Sequence, residues 1–159
     1  MLYLVRHAKA GSRSAFIGDD RLRSLSEPGR RQAKALAKRL APTLKDAGIT
    51  TLYASPYIRC LETLQPLAKA IGGFVEADER LAEGGSYIAV LDMLWSLPDG
   101  TAMCSHGDVI PETMAALERR GCAFTSPPDW RKASVWALER NKQGEIVSAE
   151  SWPPPDAVR

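Results

Sequence analysis

Residues 2–7 read Leu-Tyr-Leu-Val-Arg-His, a short apolar run that ends in an arginine and a histidine. An apolar run of this length, bounded by polar residues, is typical of a buried strand. The segment from Lys9 to Leu25 that follows is polar and contains glycine, which predicts a long loop of the kind that carries function. A buried strand opening into such a loop indicates that the chemistry begins at the carboxyl end of this strand.

Outward from this strand, helix and strand patterns alternate along the chain. Ser26 is a predicted N-cap, and apolar residues at helical spacing follow it until Gly48. Further helices are predicted over 59–71, 87–97 and 109–120, and strands over 51–54, 74–77, 101–104, 134–139 and 146–150. This order predicts an α/β fold, a single three-layer α/β/α domain over residues 1–159 with a mostly parallel central sheet. The proline-rich segment 152–159 is predicted to be an irregular tail.

Composition excludes several classes of protein. The chain has 159 residues and a net formal charge of only +2, so a general nucleic-acid-binding surface is not expected. The sequence contains neither an apolar run long enough to span a membrane nor a basic leader, so we expect a cytoplasmic protein without a membrane partner. Its three cysteines lack the spacing of a disulfide framework or a zinc site, so neither a metal nor a cofactor is predicted.

The two histidines of the chain occupy equivalent places. His7 and His106 each come directly after a predicted buried strand. Ligands of open α/β sheets bind at the carboxyl ends of the strands, so both imidazoles are predicted to face one crevice if the two strands are neighbours. Arg6 precedes His7, and Arg59 follows a third strand end. We therefore expect two histidines and two arginines to converge.

Such a set suits a phosphoryl group, because each guanidinium group can bind two of its oxygens at once and stays charged. Neighbouring cations disfavour protonation of an imidazole, and only a neutral imidazole can attack phosphorus. These residues predict that His7 is the nucleophile, that His106 stabilises the transition state, and that no metal is needed. Gly107, before the fourth predicted helix, would let backbone N–H groups approach the anion.

Five motifs occur in one order along the chain. They are Leu-Val-Arg-His-Ala at 4–8, Leu-Ser-Glu-Pro-Gly-Arg-Arg-Gln-Ala at 25–33, Ser-Pro-Tyr-Ile-Arg-Cys-Leu-Glu-Thr at 55–63, Leu-Ala-Glu at 81–83 and Ser-His-Gly at 105–107. The set resembles the histidine phosphatases of the phosphoglycerate mutase-like class, with Ala8 where glycine is commonest. The resemblance implies a phosphoglycerate mutase-like fold, a phosphohistidine at His7, a phosphate pocket of Arg6, Arg59 and His106, and Glu83 as proton donor.

The family contains phosphatases of small metabolites, protein phosphohistidine phosphatases of the SixA type and mutases. Only 22 residues separate Glu83 from His106, too few for the inserted segments with which a mutase covers its site, so net hydrolysis is expected. An acid at Glu83 would help most when the leaving group is an alkoxide, which favours an oxygen ester or anhydride of a small phosphorylated substrate. The SixA-like activity, the mutase and a silent domain that only binds a phosphorylated ligand stay open as alternatives.

The loop after His7 carries Lys9, Arg13, Arg21 and Arg23, offset only by Asp19 and Asp20. These four cations are candidates for holding a second phosphate, and solvated side chains on a polar loop are the alternative. The start of this loop also resembles the histidine phosphatase-like domain that follows the Nudix domain in some actinobacterial hydrolases. That resemblance implies nucleotide or polyphosphate substrates.

Overall fold

A computed structural model of the chain describes residues 1–157. Seven strands form one sheet: β1 (Leu2–Arg6), β2 (Thr51–Ala54), β3 (Phe74–Ala77), β4 (Ala102–Ser105), β5 (Ala123–Phe124), β6 (Val135–Arg140) and β7 (Ile146–Trp152). Four α-helices connect them: α1 (Glu27–Asp46), α2 (Ile58–Ile71), α3 (Tyr87–Ser96) and α4 (Val109–Arg119). Short 3-10 helices occur at Asp20–Leu22, Glu79–Leu81 and Pro155–Ala157.

The strand order in the sheet is β3-β2-β4-β1-β6-β7-β5. β1 lies between β4, to which it is parallel, and β6, to which it is antiparallel. The parallel register pairs Arg6 with Ser105, so β1 and β4 end side by side. His7 and His106 therefore leave the same edge of the sheet, as the sequence predicted.

The sheet is covered on both faces, and the alternation of side chains along its strands decides which residues face which layer. Tyr3 and Val5 of β1 pack into an apolar core with α1 and α2. Leu2 and Leu4 point the other way, into a second core with α3 and α4. The predicted three-layer α/β/α architecture with a mostly parallel sheet is confirmed.

Local sequence explains where the longest helix begins. Ser26 has extended backbone, and its hydroxyl accepts a hydrogen bond from the backbone N–H of Gly29 at 3.2 Å, which satisfies a free donor of the first turn of α1. Gly29 itself lies against the loop after β1, since a Cβ built on it would come within 1.8 Å of the carbonyl oxygen of Lys9. Only glycine lets the helix and the loop approach so closely.

The sheet also departs from the prediction at its far edge. The two-residue strand β5, parallel to β7, is too short to give a periodic signal and was not predicted. β7 extends to Trp152, which pairs with Val135, and the prolines start only at the next residue. The segment predicted as an irregular tail thus begins in the sheet and continues into a 3-10 turn, while residues 158–159 lie outside the described part of the chain.

Within residues 1–157, no helix has both the length and the apolar character that crossing a membrane requires. The three cysteines, Cys60, Cys104 and Cys122, are free thiols and all are buried.

Candidate active site

His7 and His106 meet at the bottom of a pocket of about 320 Å³ at the carboxyl ends of β1 and β4. Their ring centroids are 5.4 Å apart. Only 5% of the surface of His7 and 1% of that of His106 is exposed. The pocket is lined by Arg6, His7, Ala10, Gly11, Ser12, Arg13, Arg23, Glu83, His106, Gly107, Asp108 and Lys132.

The hydrogen bond of His7 fixes the tautomer of its ring. Nδ1 lies 2.8 Å from the backbone carbonyl oxygen of Ala8. A carbonyl oxygen only accepts, so Nδ1 carries the hydrogen, and in the neutral ring Nε2 keeps a free lone pair. The pKa of His7 is lowered to about 3, mainly by burial and also by the charges of His106, Arg59 and Arg6, while the hydrogen bond to Ala8 acts in the opposite direction. His7 is therefore a neutral base at physiological pH.

A buried hydroxyl ties the residue after His7 to helix α2. The Oγ1 atom of Thr63 accepts a hydrogen bond from the backbone N–H of Ala8 at 3.0 Å and donates one to the carbonyl oxygen of Arg59 at 2.6 Å. Thr63 is fully buried. This one side chain ties the loop after His7 to the helix turn that carries Arg59.

Arg6 packs its guanidinium flat against the backbone of Gly107. A Cβ built on Gly107 would lie 2.6 Å from the Cζ atom of Arg6, so no larger residue fits there without moving the arginine. The Nη1 atom of Arg6 donates to the carbonyl oxygen of Trp130 at 2.6 Å, while its Nε is buried without a partner. The structure thus gives Gly107 a role in making room for Arg6; the predicted role of its backbone N–H in binding phosphate stays a prediction.

Arg59 is completely buried, and carboxylates surround it. Its Nη2 atom lies 3.1 Å from Oδ2 of Asp20 and 3.3 Å from Oε2 of Glu83, and its Nη1 donates to the backbone carbonyl of Asp20 at 2.9 Å. The ring of Tyr57 lies beneath the guanidinium, 4.8 Å from ring centroid to Cζ. Its Nε, like that of Arg6, is buried without a partner.

Ser55, Cys60 and Tyr57 hold the ring of His106 in its orientation. Its Nε2 lies 2.8 Å from the hydroxyl of Ser55 and 3.5 Å from the Sγ of Cys60, and the ring of Tyr57 packs on it edge-on at 4.7 Å. The Ser55 hydroxyl oxygen also accepts a hydrogen bond from the backbone N–H of Tyr57 at 3.2 Å. The other ring nitrogen of His106, Nδ1, is buried and has no hydrogen-bond partner among residues 1–157. One ring nitrogen is therefore held by protein and the other is not.

Glu83 joins the pocket from the segment before α3. Its Oε1 accepts a hydrogen bond from Nη2 of Arg13 at 2.9 Å, and its Oε2 faces Arg59. The next residue is anchored as well, because the backbone N–H of Gly84 donates to Oδ2 of Asp108 at 2.8 Å. The acid expected to act as proton donor therefore lies in the pocket of both histidines, bridging two arginines.

The four cations of the loop do not act as a group. Arg13 and Arg23 line the pocket, but Arg23 is buried and engaged, with Nη1 on the carbonyl oxygen of Gly11 at 2.6 Å and Nε on Asp20 at 2.8 Å. Arg21 pairs with Glu79 at 2.7 Å, and its guanidinium lies over the ring of Tyr57. Lys9 lines a neighbouring cleft, 3.8 Å from Asp156. The role of these four cations in binding substrate stays a prediction. Their contacts differ, so they do not form one cluster.

Lys132 lines the pocket and was missed from the sequence. It follows His7 by more than a hundred residues and belongs to no motif, so only the fold reveals it. Burial lowers its pKa, and the charges of Arg6, Arg23, Arg59 and Arg13 lower it further. The next residue, Ala133, has a left-handed φ of 68°, and its N–H donates to the carbonyl oxygens of Arg6 and His7 at 3.2 and 3.1 Å.

Three further residues support the site without belonging to the predicted set, namely Thr63, Ser55 and Asp20. Thr63 and Ser55 lie inside the motif at 55–63, and Thr63 follows Arg59 by one helical turn, which is a signal that spacing offers. Among residues 1–157, no group of three or more His, Cys, Asp and Glu side chains is arranged to hold a metal ion.

Comparison with known proteins agrees with this geometry. The family model described as the histidine phosphatase superfamily (branch 1) matches residues 2–88. An 8-oxo-(d)GTP phosphatase of Mycolicibacterium smegmatis is 35% identical over 159 residues, which cover 96% of this chain and 48% of that protein. The chain thus spans about half the length of this curated relative.

Solved structures share the fold. The protein histidine phosphatase SixA in complex with tungstate superposes with a TM-score of 0.73, at 18% identity and with 99% of each chain covered. A mycobacterial glucosyl-3-phosphoglycerate phosphatase in complex with VO3 superposes with a TM-score of 0.66, at 19% identity, covering 96% of this chain and 98% of that one. Identities this low establish the fold, and the family follows from the model match: the chain belongs to the histidine phosphatase superfamily, branch 1.

Proposed function

We propose that this protein is a metal-independent phosphatase that hydrolyses a phosphomonoester or phosphoanhydride through a phosphohistidine on Nε2 of His7. The observation that carries the proposal is the state of His7. It is a buried, neutral imidazole with Nδ1 bound to Ala8, and it lies in one pocket with Arg6, Glu83 and His106. Such a ring has one lone pair to offer, and that lone pair is on Nε2.

In the first step the Nε2 lone pair attacks phosphorus, an N–P bond forms, and the P–O bond to the leaving group breaks. The buried Nε atoms of Arg6 and Arg59 and the Nδ1 of His106 have no protein partner, and all three are suited to donate to the phosphoryl oxygens. The Ser55 hydroxyl, by donating to Nε2 of His106, would keep the hydrogen of a neutral His106 on Nδ1.

Glu83 is paired with Arg13 at 2.9 Å and with Arg59 at 3.3 Å. A phosphoryl oxygen that takes the Nη2 of Arg59 would replace the Glu83 carboxylate there. The released carboxylate would take up the proton that the substrate's phosphate gives up on binding to the two arginines, and would pass this proton to the departing oxygen. In the second step water attacks phosphorus, the N–P bond breaks, orthophosphate leaves and the water's proton passes to Glu83.

Independence of metal ions follows from the charge that surrounds the reacting group. Arg6 and Arg59 flank the nucleophile, and Arg13, Arg23 and Lys132 line the same pocket. Fixed cations in a water-poor pocket stabilise transition-state charge as a Lewis acid would. Activity on an aryl phosphate should survive chelation by EDTA, and activity that EDTA abolishes and a divalent ion restores would refute this part.

Among the candidate substrates, we expect nucleotides to be the best. The M. smegmatis relative is an 8-oxo-(d)GTP phosphatase, and the present chain matches about half of it at 35% identity. The SixA-like alternative rests on a likeness of fold alone. We therefore expect an oxygen-linked phosphoryl group to be a better substrate than a phosphohistidine protein.

Release of orthophosphate from a panel tests the proposal. The panel comprises 4-nitrophenyl phosphate, nucleoside mono-, di- and triphosphates, phosphoglycerates and a phosphohistidine protein, each with wild type and His7→Ala. Release from an ester or anhydride that vanishes in His7→Ala supports the proposal. Release confined to the phosphohistidine protein would favour the SixA-like alternative, isomerisation of phosphoglycerate without release would favour a mutase, and binding without turnover would favour a silent domain.

A further inference from the structure

Lys132 and Arg6 are the cations of the pocket that have no acidic partner within residues 1–157, and of the two only Arg6 is held by a hydrogen bond, from its Nη1 to the carbonyl oxygen of Trp130. Arg13 pairs with Glu83, Arg23 with Asp20, and Arg59 with both of these carboxylates. No ion pair or hydrogen bond involves the Lys132 ammonium within residues 1–157. The charges that act on it are those of four arginines, Arg6, Arg23, Arg59 and Arg13. A cation that has no acidic partner and lies among other cations is stabilised when an anion binds to it.

The position of Lys132 connects two cavities. The first is the pocket of His7. The second is a cleft of about 490 Å³ that shares Arg6 and Lys132 with the pocket and is otherwise lined by Lys9, Gln32, Arg131, Pro154 and Asp156. A group bound between the Lys132 ammonium and this cleft would lie next to the reacting phosphoryl group and farther from His7 than that group.

The backbone at Lys132 is also fixed. Ala133 holds a left-handed conformation that residues with a side chain rarely adopt, and its N–H bonds to the carbonyl oxygens of Arg6 and His7. Such strain persists only where the surrounding contacts enforce it, and it is concentrated at functional sites. The lysine is thus tied through one peptide to the nucleophile and to the arginine beside it.

We infer that Lys132 is a specificity-determining residue, which binds the phosphoryl group next to the one transferred to His7 and so selects phosphoanhydrides over phosphomonoesters. The inference rests on the proposed function for the place of the reacting group. It moves the centre of the second phosphate's site from the loop cations Arg21 and Arg23, which acidic partners already compensate, to Lys132 where the two cavities meet.

Calorimetric titration with orthophosphate and with pyrophosphate, without added metal and repeated with the non-hydrolysable pyrophosphate analogue methylenediphosphonate, tests this inference independently of turnover. The variants are Lys132→Met, Lys132→Arg and the matched control Lys142→Met, whose exposed lysine lies in the β6–β7 turn. Lys132 is partly exposed, so the methionine can be accommodated, and thermal melting of each variant checks the fold.

Wild type should bind pyrophosphate more tightly than orthophosphate. Lys132→Met should reduce this ratio of affinities about tenfold, whereas Lys132→Arg and Lys142→Met should keep it, as loss of one charge-assisted contact predicts. A wild type without preference for pyrophosphate, or an unchanged ratio in Lys132→Met, would overturn the inference. A protein that shows the lysine-dependent preference yet forms no phosphohistidine would instead contradict the proposed function and leave the anion site standing.

Discussion

The Nδ1 atom of His7 donates a hydrogen bond to the carbonyl oxygen of Ala8, its own neighbour, at 2.8 Å. The bond is local, so it needs no partner from elsewhere in the fold and forms wherever this segment takes its loop conformation. It assigns the ring hydrogen to Nδ1 and leaves Nε2 of the neutral ring with the free lone pair that the proposed function requires. Burial and the neighbouring cations complete the arrangement by keeping the ring uncharged.

A neutral His7 should make the folded protein sensitive to acid. The unfolded chain takes a proton on this histidine near pH 6.5, whereas the folded chain, with a pKa of about 3, does not. Protons then favour the unfolded state, so the free energy of unfolding falls as pH drops from 6.5 toward 3. Between pH 7 and pH 5 this one group should cost about 2 kcal/mol. Urea unfolding at both values should show a smaller pH-dependent loss in His7→Gln than in wild type, and equal losses would contradict the buried neutral state.

Gly107→Ala should impair catalysis more than stability. The added methyl group would occupy the place of the Arg6 guanidinium, whose Cζ lies 2.6 Å from it, and the arginine would have to move. A displacement of about 1 Å in a phosphate-binding group can cost on the order of a hundredfold in rate. We expect kcat/KM to fall by that order while the melting temperature changes little.

Gly48→Ala is the control for this change. Gly48 follows α1 outside the pocket and a methyl group there meets nothing within 4 Å, although its φ of 70° strains any side chain, so this variant should lose some stability and keep its activity within a fewfold of wild type. Equal activities for the two alanine variants would refute the account of Arg6 and Gly107.

Thr63→Val should destabilise the protein. It removes the acceptor of the Ala8 N–H and the donor to the Arg59 carbonyl at a position with no exposed surface. A buried donor left unpaired costs about 1–3 kcal/mol. The free energy of unfolding in urea should fall by that amount in Thr63→Val and by less in Thr63→Ser, which keeps the hydroxyl. A larger loss in the serine variant would show that the methyl group, and not the hydroxyl, matters here.

Replacing Arg13 and replacing Arg23 should have different effects on the free energy of unfolding, although both residues lie on the same cationic loop. Arg23 is buried and makes two hydrogen bonds, to Gly11 and Asp20, so Arg23→Ala should lower the free energy of unfolding by about 1–3 kcal/mol. The Arg13 side chain is 65% exposed and pairs with Glu83, so Arg13→Ala should cost less than about 1 kcal/mol. Urea unfolding of both variants decides this, and a more destabilised Arg13→Ala would contradict the loop contacts.

The sequence predicted the parts of this molecule that local patterns encode. Helix spacing, the Ser26 cap and the apolar run before His7 sufficed for the α/β order, because helical periodicity is a short-range rule. The strand-end positions of the two histidines predicted their meeting only on the condition that their strands are neighbours, and the parallel pairing of β1 with β4 meets that condition.

What the sequence could not supply is the pairing of charges across the fold. Four loop cations are visible in the sequence, but that Asp20 binds Arg23 and Arg59 while Glu79 binds Arg21 depends on tertiary distances. Lys132, in contrast, belongs to no sequence motif. It becomes a functional candidate only because the end of β1 lies beside the turn before β6.

The most direct test of the central claim is detection of phosphate bound to His7. Wild-type protein mixed briefly with a 32P-labelled nucleoside triphosphate and quenched in alkali should retain label that acid releases, and 31P NMR of the phosphoprotein should place the phosphoryl group on Nε2 of a histidine. His7→Ala should retain none, and His106→Ala should retain the label only at His7. Acid-stable label, label that persists in His7→Ala, or phosphorylation at Nδ1 would contradict the account.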